Sequence, residues 1–146
     1  MERILCLLTG YVFGLFQTGY LYGKMHHIDI RQYGSGNSGT TNALRVMGKK
    51  AGLLVFMGDF LKTVSACLLV RLVMKGDPSV DLYVLYAGLG VVLGHNFPFY
   101  LHFKGGKGIA SMAGILVSMD WRVTLVCASL FLGAVILTRY VSLGSI

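Results

Sequence analysis

Residues 51–74 read AGLLVFMGDFLKTVSACLLVRLVM, and this stretch decides what kind of fold the chain adopts. It is long enough to cross a bilayer, whose apolar core takes roughly 20 residues of helix. Its only charged residues are Asp59, Lys62 and, near its end, Arg71. Three more apolar runs read the same way, from Ile4 to Tyr22, from Leu82 to Phe99 and from Val123 to Leu137. The first is too long for a signal-peptide core and has no Ala-x-Ala pattern after it, so it reads as a retained crossing. A shorter run from Gly108 to Met119 offers roughly 18 Å of helix against roughly 30 Å of hydrocarbon. Such a helix starts inside the membrane profile or crosses a thinned region.

Composition agrees with these runs. The 146 residues are 55% hydrophobic and 13% charged, which excludes a large soluble enzyme domain and a disordered tail. The expected fold class is all-α, a polytopic membrane helix bundle of about five crossings forming one integral-membrane domain over 1–146. Cys6, Cys67 and Cys127 each lie inside an apolar run without ligand spacing, so neither a disulfide nor a metal site is expected.

Basic residues set the orientation. Lys24, Arg31, Arg45, Lys49 and Lys50 lie between the first and second runs, Lys104 and Lys107 between the third and the short fourth, and Arg139 after the last. The opposite connections hold one basic residue each beside Asp77, Asp81 and Asp120. The N-terminus is therefore expected outside, with short interfacial helices and both glycine-rich segments on the cytoplasmic face. The net charge of +7 sits on that face, which suits anionic lipid or an anionic substrate and gives no reason to invoke nucleic acid.

The first glycine-rich segment, Tyr33 to Lys50, places Gly34, Gly36 and Gly39 ahead of a short helix capped by Thr40 or Thr41 and ended by Gly48. Asn42 and Arg45, three apart, share a face and offer an amide and a guanidinium to a phosphate at a helix start. The second segment, Lys104-Gly105-Gly106-Lys107-Gly108, sets two cations around uncovered backbone directly before an apolar helix, which reads as a phosphate cradle. The spacing is not that of a nucleotide-hydrolysing loop, since Ile109 stands where a metal-binding hydroxyl belongs. Asp59 and Lys62 are three apart on one intramembrane face, where ionisable groups point to function. Asp59 is read as orienting Lys62 or Arg45, outside the substrate itself. His95 and His102 flank the cradle; His26 and His27 have no role assigned.

These blocks, together with Gly94-His95-Asn96-Phe97-Pro98 and Thr138-Arg139-Tyr140-Val141-Ser142-Leu143, resemble the acyl-phosphate-dependent glycerol-3-phosphate acyltransferases of bacterial membranes over nearly the whole chain. The resemblance implies transfer of a fatty acyl group from acyl phosphate to the 1-hydroxyl of glycerol 3-phosphate, giving lysophosphatidic acid and phosphate. It implies a multi-pass protein of the inner membrane with its active face cytoplasmic. It also implies that Ser35 is the essential serine, that Asn37, Asn42 and Arg45 bind phosphate, and that Lys104, Gly105, Gly106, Lys107 and Gly108 stabilise the leaving phosphate. Asp59, Lys62 and His95 support them. The partners are glycerol 3-phosphate, acyl phosphate and membrane lipid, and no cofactor or metal is implied.

The chain departs from the family at Leu15-Phe16-Gln17, where relatives carry Ser-x-Pro, and at Thr63, where they carry glycine. Relatives also continue past Ile146 into a cytoplasmic His-x-x-Asn-x-x-Arg segment. The expectation is that the 146 residues insert in the membrane but transfer acyl groups weakly or not at all alone. A competing reading is a non-catalytic phosphate-binding or anion-transport protein, with Asp59 and Lys62 lining a path. The inverted repeats such a transporter favours are not visible in the sequence. An acyltransferase with a His-x-x-x-x-Asp pair is excluded, because no histidine is followed by aspartate at that spacing.

Overall fold

The computed structural model describes residues 1–139, so the part of the family-like block from Tyr140 to Leu143 lies outside the described residues. Seven α-helices run α1 (Glu2–Gly14), α2 (Thr18–Met25), α3 (Thr40–Met47), α4 (Lys49–Val73), α5 (Val80–Asn96), α6 (Ile109–Met119) and α7 (Trp121–Thr138). Short 3-10 turns occur at Ile30–Gln32 and Phe99–Leu101, and no strand occurs among the described residues. Among the described residues, four stretches are long and apolar enough to cross a membrane: Glu2–Met25, Lys49–Val73, Val80–Leu101 and Trp121–Thr138. The helix α6, with 11 residues, is as short as its sequence predicts. Leu53, Leu61, Leu68 and Leu72 of α4 and Leu130 and Ile136 of α7 point outward and are exposed. Hydrocarbon is the solvent that suits such a surface.

The central helix is α4, which packs against all the helices before it and against α5 and α6. Its Cys67 and Val70 form a buried cluster with Cys6, Val84 and Ala87, and its Val55 packs with Ile30 and Ala43. The three thiols are free. By contrast, α7 has no buried residue among the described ones and packs chiefly on α6.

The closest packing joins α1 to α5. Gly10 and Gly14 face Gly90 and Gly94, and the two backbones touch: a methyl group at Gly10 would strike the carbonyl oxygen of Ala87, and one at Gly90 that of Leu7. Small residues four apart on both helices allow this approach, which lets van der Waals contact hold helices together where the surrounding lipid gives no hydrophobic drive.

The first crossing differs from expectation. It is two helices, with an irregular stretch between Gly14 and Thr18. The carbonyls released there must find donors inside the protein. Gln17 Nε2 reaches the Gly14 oxygen at 3.3 Å, the Tyr100 hydroxyl donates to the Leu15 oxygen at 2.6 Å, and Lys62 Nζ donates to the Phe16 oxygen at 2.6 Å. The apolar run reads as continuous because all but one of these donors come from distant parts of the chain.

Gly90→Ala is expected to destabilise the protein by roughly 1–3 kcal/mol, since the added methyl forces two backbones apart. Gly133, on α7, has open space around it, so Gly133→Ala should be neutral or stabilising by up to about 1 kcal/mol. Unfolding in a detergent and denaturant series measures both; equal effects would contradict the packing described.

Candidate functional site

Two helices start at one cleft. The first is α3, whose N-cap is Gly39 and not Thr40 or Thr41, with no side chain capping it. Asn37 Oδ1 takes the Gly39 N–H at 2.8 Å, so the cap falls one residue earlier than the threonines suggest. The N–H groups of Thr40 and Thr41 have no partner among the described residues, and both residues line the cleft. Gly34 and Gly36, at φ +61° and +71°, turn the loop that leads there, a conformation other residues seldom adopt.

Asn42 builds this loop from inside. Its Oδ1 accepts the Ser35 N–H at 2.9 Å, and its Nδ2 faces the oxygens of Ile30, Tyr33 and Asn37 at 3.0, 3.0 and 2.8 Å. The side-chain amide is thereby occupied, and Asn42 shapes the wall of the cleft where a direct phosphate contact was expected. Ser35 and Arg45 stand at that wall, both exposed. Arg45 has no carboxylate partner among the described residues. Arg31, on the same loop, is held by Asp29 through two hydrogen bonds of 3.0 and 2.7 Å and lies 4.9 Å over the Tyr20 ring. The Arg31 bond keeps the Asp29 carboxyl below its usual range, so Arg31 is neutralised and Arg45 is available to an anion.

The second helix is α6, with Gly108 as N-cap at φ +79°. The cradle differs from its sequence reading in one respect. The N–H groups of Gly105 and Gly106 donate to the oxygens of Asn96 and His95 at 3.0 Å each, docking the loop onto the end of α5. They therefore serve the loop and not a ligand. The amides without a partner among the described residues lie further on, from Lys107 to Ser111, and Lys107, Gly108, Ile109 and Ala110 line the cleft. Lys104 is exposed and outside the cleft lining. Asn37 joins the two segments, its Nδ2 donating to the Gly105 oxygen at 3.3 Å.

The result is a cavity of about 120 Å³. Two uncapped helix starts, each equivalent to roughly half a positive charge, meet there with Arg45 and Lys107. Asp59 and His95 are the buried groups at its base. Lys62 Nζ donates to Asp59 Oδ1 at 2.9 Å and lies 2.9 Å from His95 Nδ1. With Phe16 oxygen as its third close partner, Lys62 makes Nδ1 an acceptor and places the imidazole proton on Nε2, the nitrogen against Gly106. Asp59 also accepts from Thr18 Oγ1 at 3.0 Å. Asp59 thus contacts Lys62, while among the described residues it has no contact with Arg45. His102 is exposed in the turn after α5 and takes no part.

Beside the polar cleft runs an apolar groove of about 500 Å³ between Phe56 of α4, the Ile109, Met112, Ala113 and Leu116 face of α6, and residues from Thr124 to Leu132 of α7. Ile109 lines both. The sequence holds a signal for this groove in the small residue Ala113 one helical turn beyond Ile109. It holds one for the α1–α5 contact in the paired glycines Gly10, Gly14, Gly90 and Gly94.

A family described as glycerol-3-phosphate acyltransferase matches residues 4–146. Among its relatives, the glycerol-3-phosphate acyltransferase of Thermoanaerobacter sp. (strain X514) is 41% identical over all of this chain and 72% of its own length. That of Clostridioides difficile (strain 630) is 40% identical over 98% of this chain and 71% of its own. The crystal structure of PlsY (YgiH), an integral membrane glycerol 3-phosphate acyltransferase, in its glycerol 3-phosphate form superposes with a TM-score of 0.88 at 36% identity, covering 99% of this chain and 71% of that one. Its lysophosphatidic acid form gives 0.85 at the same identity, covering 99% and 70%.

Gly106 packs its backbone on the His95 ring, and a side chain there would strike Nε2. Gly106→Leu should lift the loop from α5 and weaken binding of inorganic phosphate at least about tenfold, or roughly 1.4 kcal/mol, while membrane insertion persists. Calorimetric titration of the purified variant checks it, with unchanged affinity as the contrary result.

Proposed function

Since the chain belongs to the glycerol-3-phosphate acyltransferase family, we propose that its acyl donor is acyl phosphate, and that the acyl group goes to the 1-hydroxyl of glycerol 3-phosphate. The products are lysophosphatidic acid and inorganic phosphate. The observation that carries this reading is the shared residue Ile109, at which a polar cleft with two helix starts opens into an apolar groove. A phosphate and a fatty chain joined by one carbonyl fit such a junction. Acyl phosphate is a mixed anhydride and already activated, so the reaction calls on no cofactor.

In this reading the amides at the start of α6, with Lys107, hold the phosphate of the donor and stabilise it as it leaves. Arg45 and the start of α3 hold the phosphate of glycerol 3-phosphate, the guanidinium through a bidentate contact. Ser35 positions substrate by hydrogen bond, and Asn37 and Asn42 keep its loop in place. Gly105, Gly106 and Gly108 give the second loop its path. Lys104, exposed near the cleft, draws anions towards it. His95, fixed by Lys62 and Asp59, presents an N–H at the base of the site. The hydroxyl of glycerol 3-phosphate attacks the acyl carbonyl, the bond to the phosphate oxygen breaks, and the hydroxyl proton passes to a phosphate oxygen. In this reading the protein lies in a bacterial inner membrane with the site on the cytoplasmic face, a side that the basic residues of the connections support.

Two measurements test the proposal. Product analysis with acyl phosphate, run against acyl-CoA on the chain extended after Ile146 by a relative's C-terminal segment, should give lysophosphatidic acid from the first donor only. Arg45→Lys keeps the charge but loses the fork, so KM for glycerol 3-phosphate should rise about tenfold with less effect on acyl phosphate. Equal weakening of both substrates would move Arg45 away from the glycerol 3-phosphate side.

A further inference from the structure

Gln17 sits in the break between α1 and α2 and is 1% exposed. Its Nε2 donates to the His95 oxygen at 2.8 Å and lies 3.3 Å from the oxygens of Gly14 and Gly94. Its Oε1 accepts from the Ser38 hydroxyl at 3.2 Å, and Ser38 is itself buried. The partners fix which end of the amide is which: three carbonyl oxygens require the NH2 group, and the hydroxyl, a donor, takes the oxygen. At this depth each of these bonds is costly to leave unmade.

One of these bonds ends in the first glycine-rich segment, and another ends at the carbonyl on which the second is docked. Ser38 precedes Gly39, the N-cap of α3. The His95 oxygen that receives Gln17 also receives the Gly106 N–H, so it anchors the loop leading to α6. One side chain therefore connects the two anion-binding helix starts from beneath, where Asn37 connects them only at the cleft surface.

We propose that Gln17 is a positioning residue for acyl transfer, which sets the separation of the two phosphate-binding segments by bridging the Ser38 hydroxyl to the His95 carbonyl. The inference rests on the reading of the site given above. Each phosphate is held within one segment, whereas the reaction requires hydroxyl and carbonyl, borne by different substrates, to meet at roughly 3–3.5 Å. A misplacement of about 1 Å lowers the rate by about a hundredfold without weakening either phosphate contact. Loss of the bridge should therefore fall on kcat.

The test uses the 146-residue chain joined after Ile146 to the C-terminal segment of a relative, because weak transfer is expected of the short chain alone, in detergent with acyl phosphate and glycerol 3-phosphate. Gln17→Met keeps the length of the side chain and removes its hydrogen bonds; Ser38→Ala removes one. Gln17→Met is expected to lower kcat at least about tenfold, with KM for glycerol 3-phosphate within about twofold and the same number of glycerol 3-phosphate molecules bound per chain. Ser38→Ala should show a smaller effect of the same kind, and the double variant should be no worse than Gln17→Met alone, since both act through one bridge. If Gln17→Met does not fold, the Ser38→Ala result decides. Wild-type kcat in both single variants would overturn the inference and leave the site reading standing. A fall in kcat matched by a fall in bound glycerol 3-phosphate per chain would overturn it too, reducing Gln17 to a structural part. Absence of transfer by the extended chain with Gln17 and Ser38 unchanged would overturn the reading of the site and the inference with it.

Discussion

The approach of α1 and α5 at Gly10, Gly14, Gly90 and Gly94 governs the rest of the structure. It brings the end of α1 against the end of α5, so that the break after Gly14 opens beside His95. Irregular backbone at membrane depth is tolerated only where protein groups satisfy it. Lys62, Tyr100 and Gln17 do so here, and Lys62 and Gln17 also touch His95 at the base of the site. The intramembrane lysine thus has two tasks: it closes the hydrogen bonding of a broken helix and it holds Asp59 and His95 in place.

The polar cleft gains its positive character mostly from geometry. Arg45 and Lys107 stand at its walls, while Arg31 is tied to Asp29 and Lys104 stands off. The remainder comes from backbone. Helix starts left without side-chain caps give up some stability, about 1 kcal/mol for a missing cap, and retain amides directed at the place where an anion belongs. The same loops satisfy their other polar groups internally, through Asn42 and through the end of α5.

Much of this was legible in the sequence for reasons of period and spacing. The shortness of α6, the stop of α3 at Gly48 and the facing of Asp59 and Lys62 follow from local rules, and the structure has all three. What was not legible depends on partners far along the chain. The break in the first crossing is invisible within a continuous apolar run, because Lys62 and Tyr100, which satisfy it, lie 46 and 85 residues away. The direction of the Gly105 and Gly106 amides, towards α5, depends on where α5 ends relative to the loop, which spacing cannot give. Asn42 was placed on the correct helix, yet its amide turns to three carbonyls of its own loop, a competition that becomes visible only once the loop is folded.

Ile109 stands between a cleft open to water and a groove lined by hydrocarbon side chains. On the proposed reaction, one reactant arrives there from three-dimensional solution and the other by diffusion in the plane of the leaflet. Their concentrations are then measured on different scales, molarity for the first and mole fraction of total lipid or detergent for the second. Adding inert amphiphile at constant bulk composition dilutes one substrate and leaves the other untouched. The kinetics therefore belong to a phase boundary, and the enzyme's apparent constants become properties of the host membrane as much as of the protein.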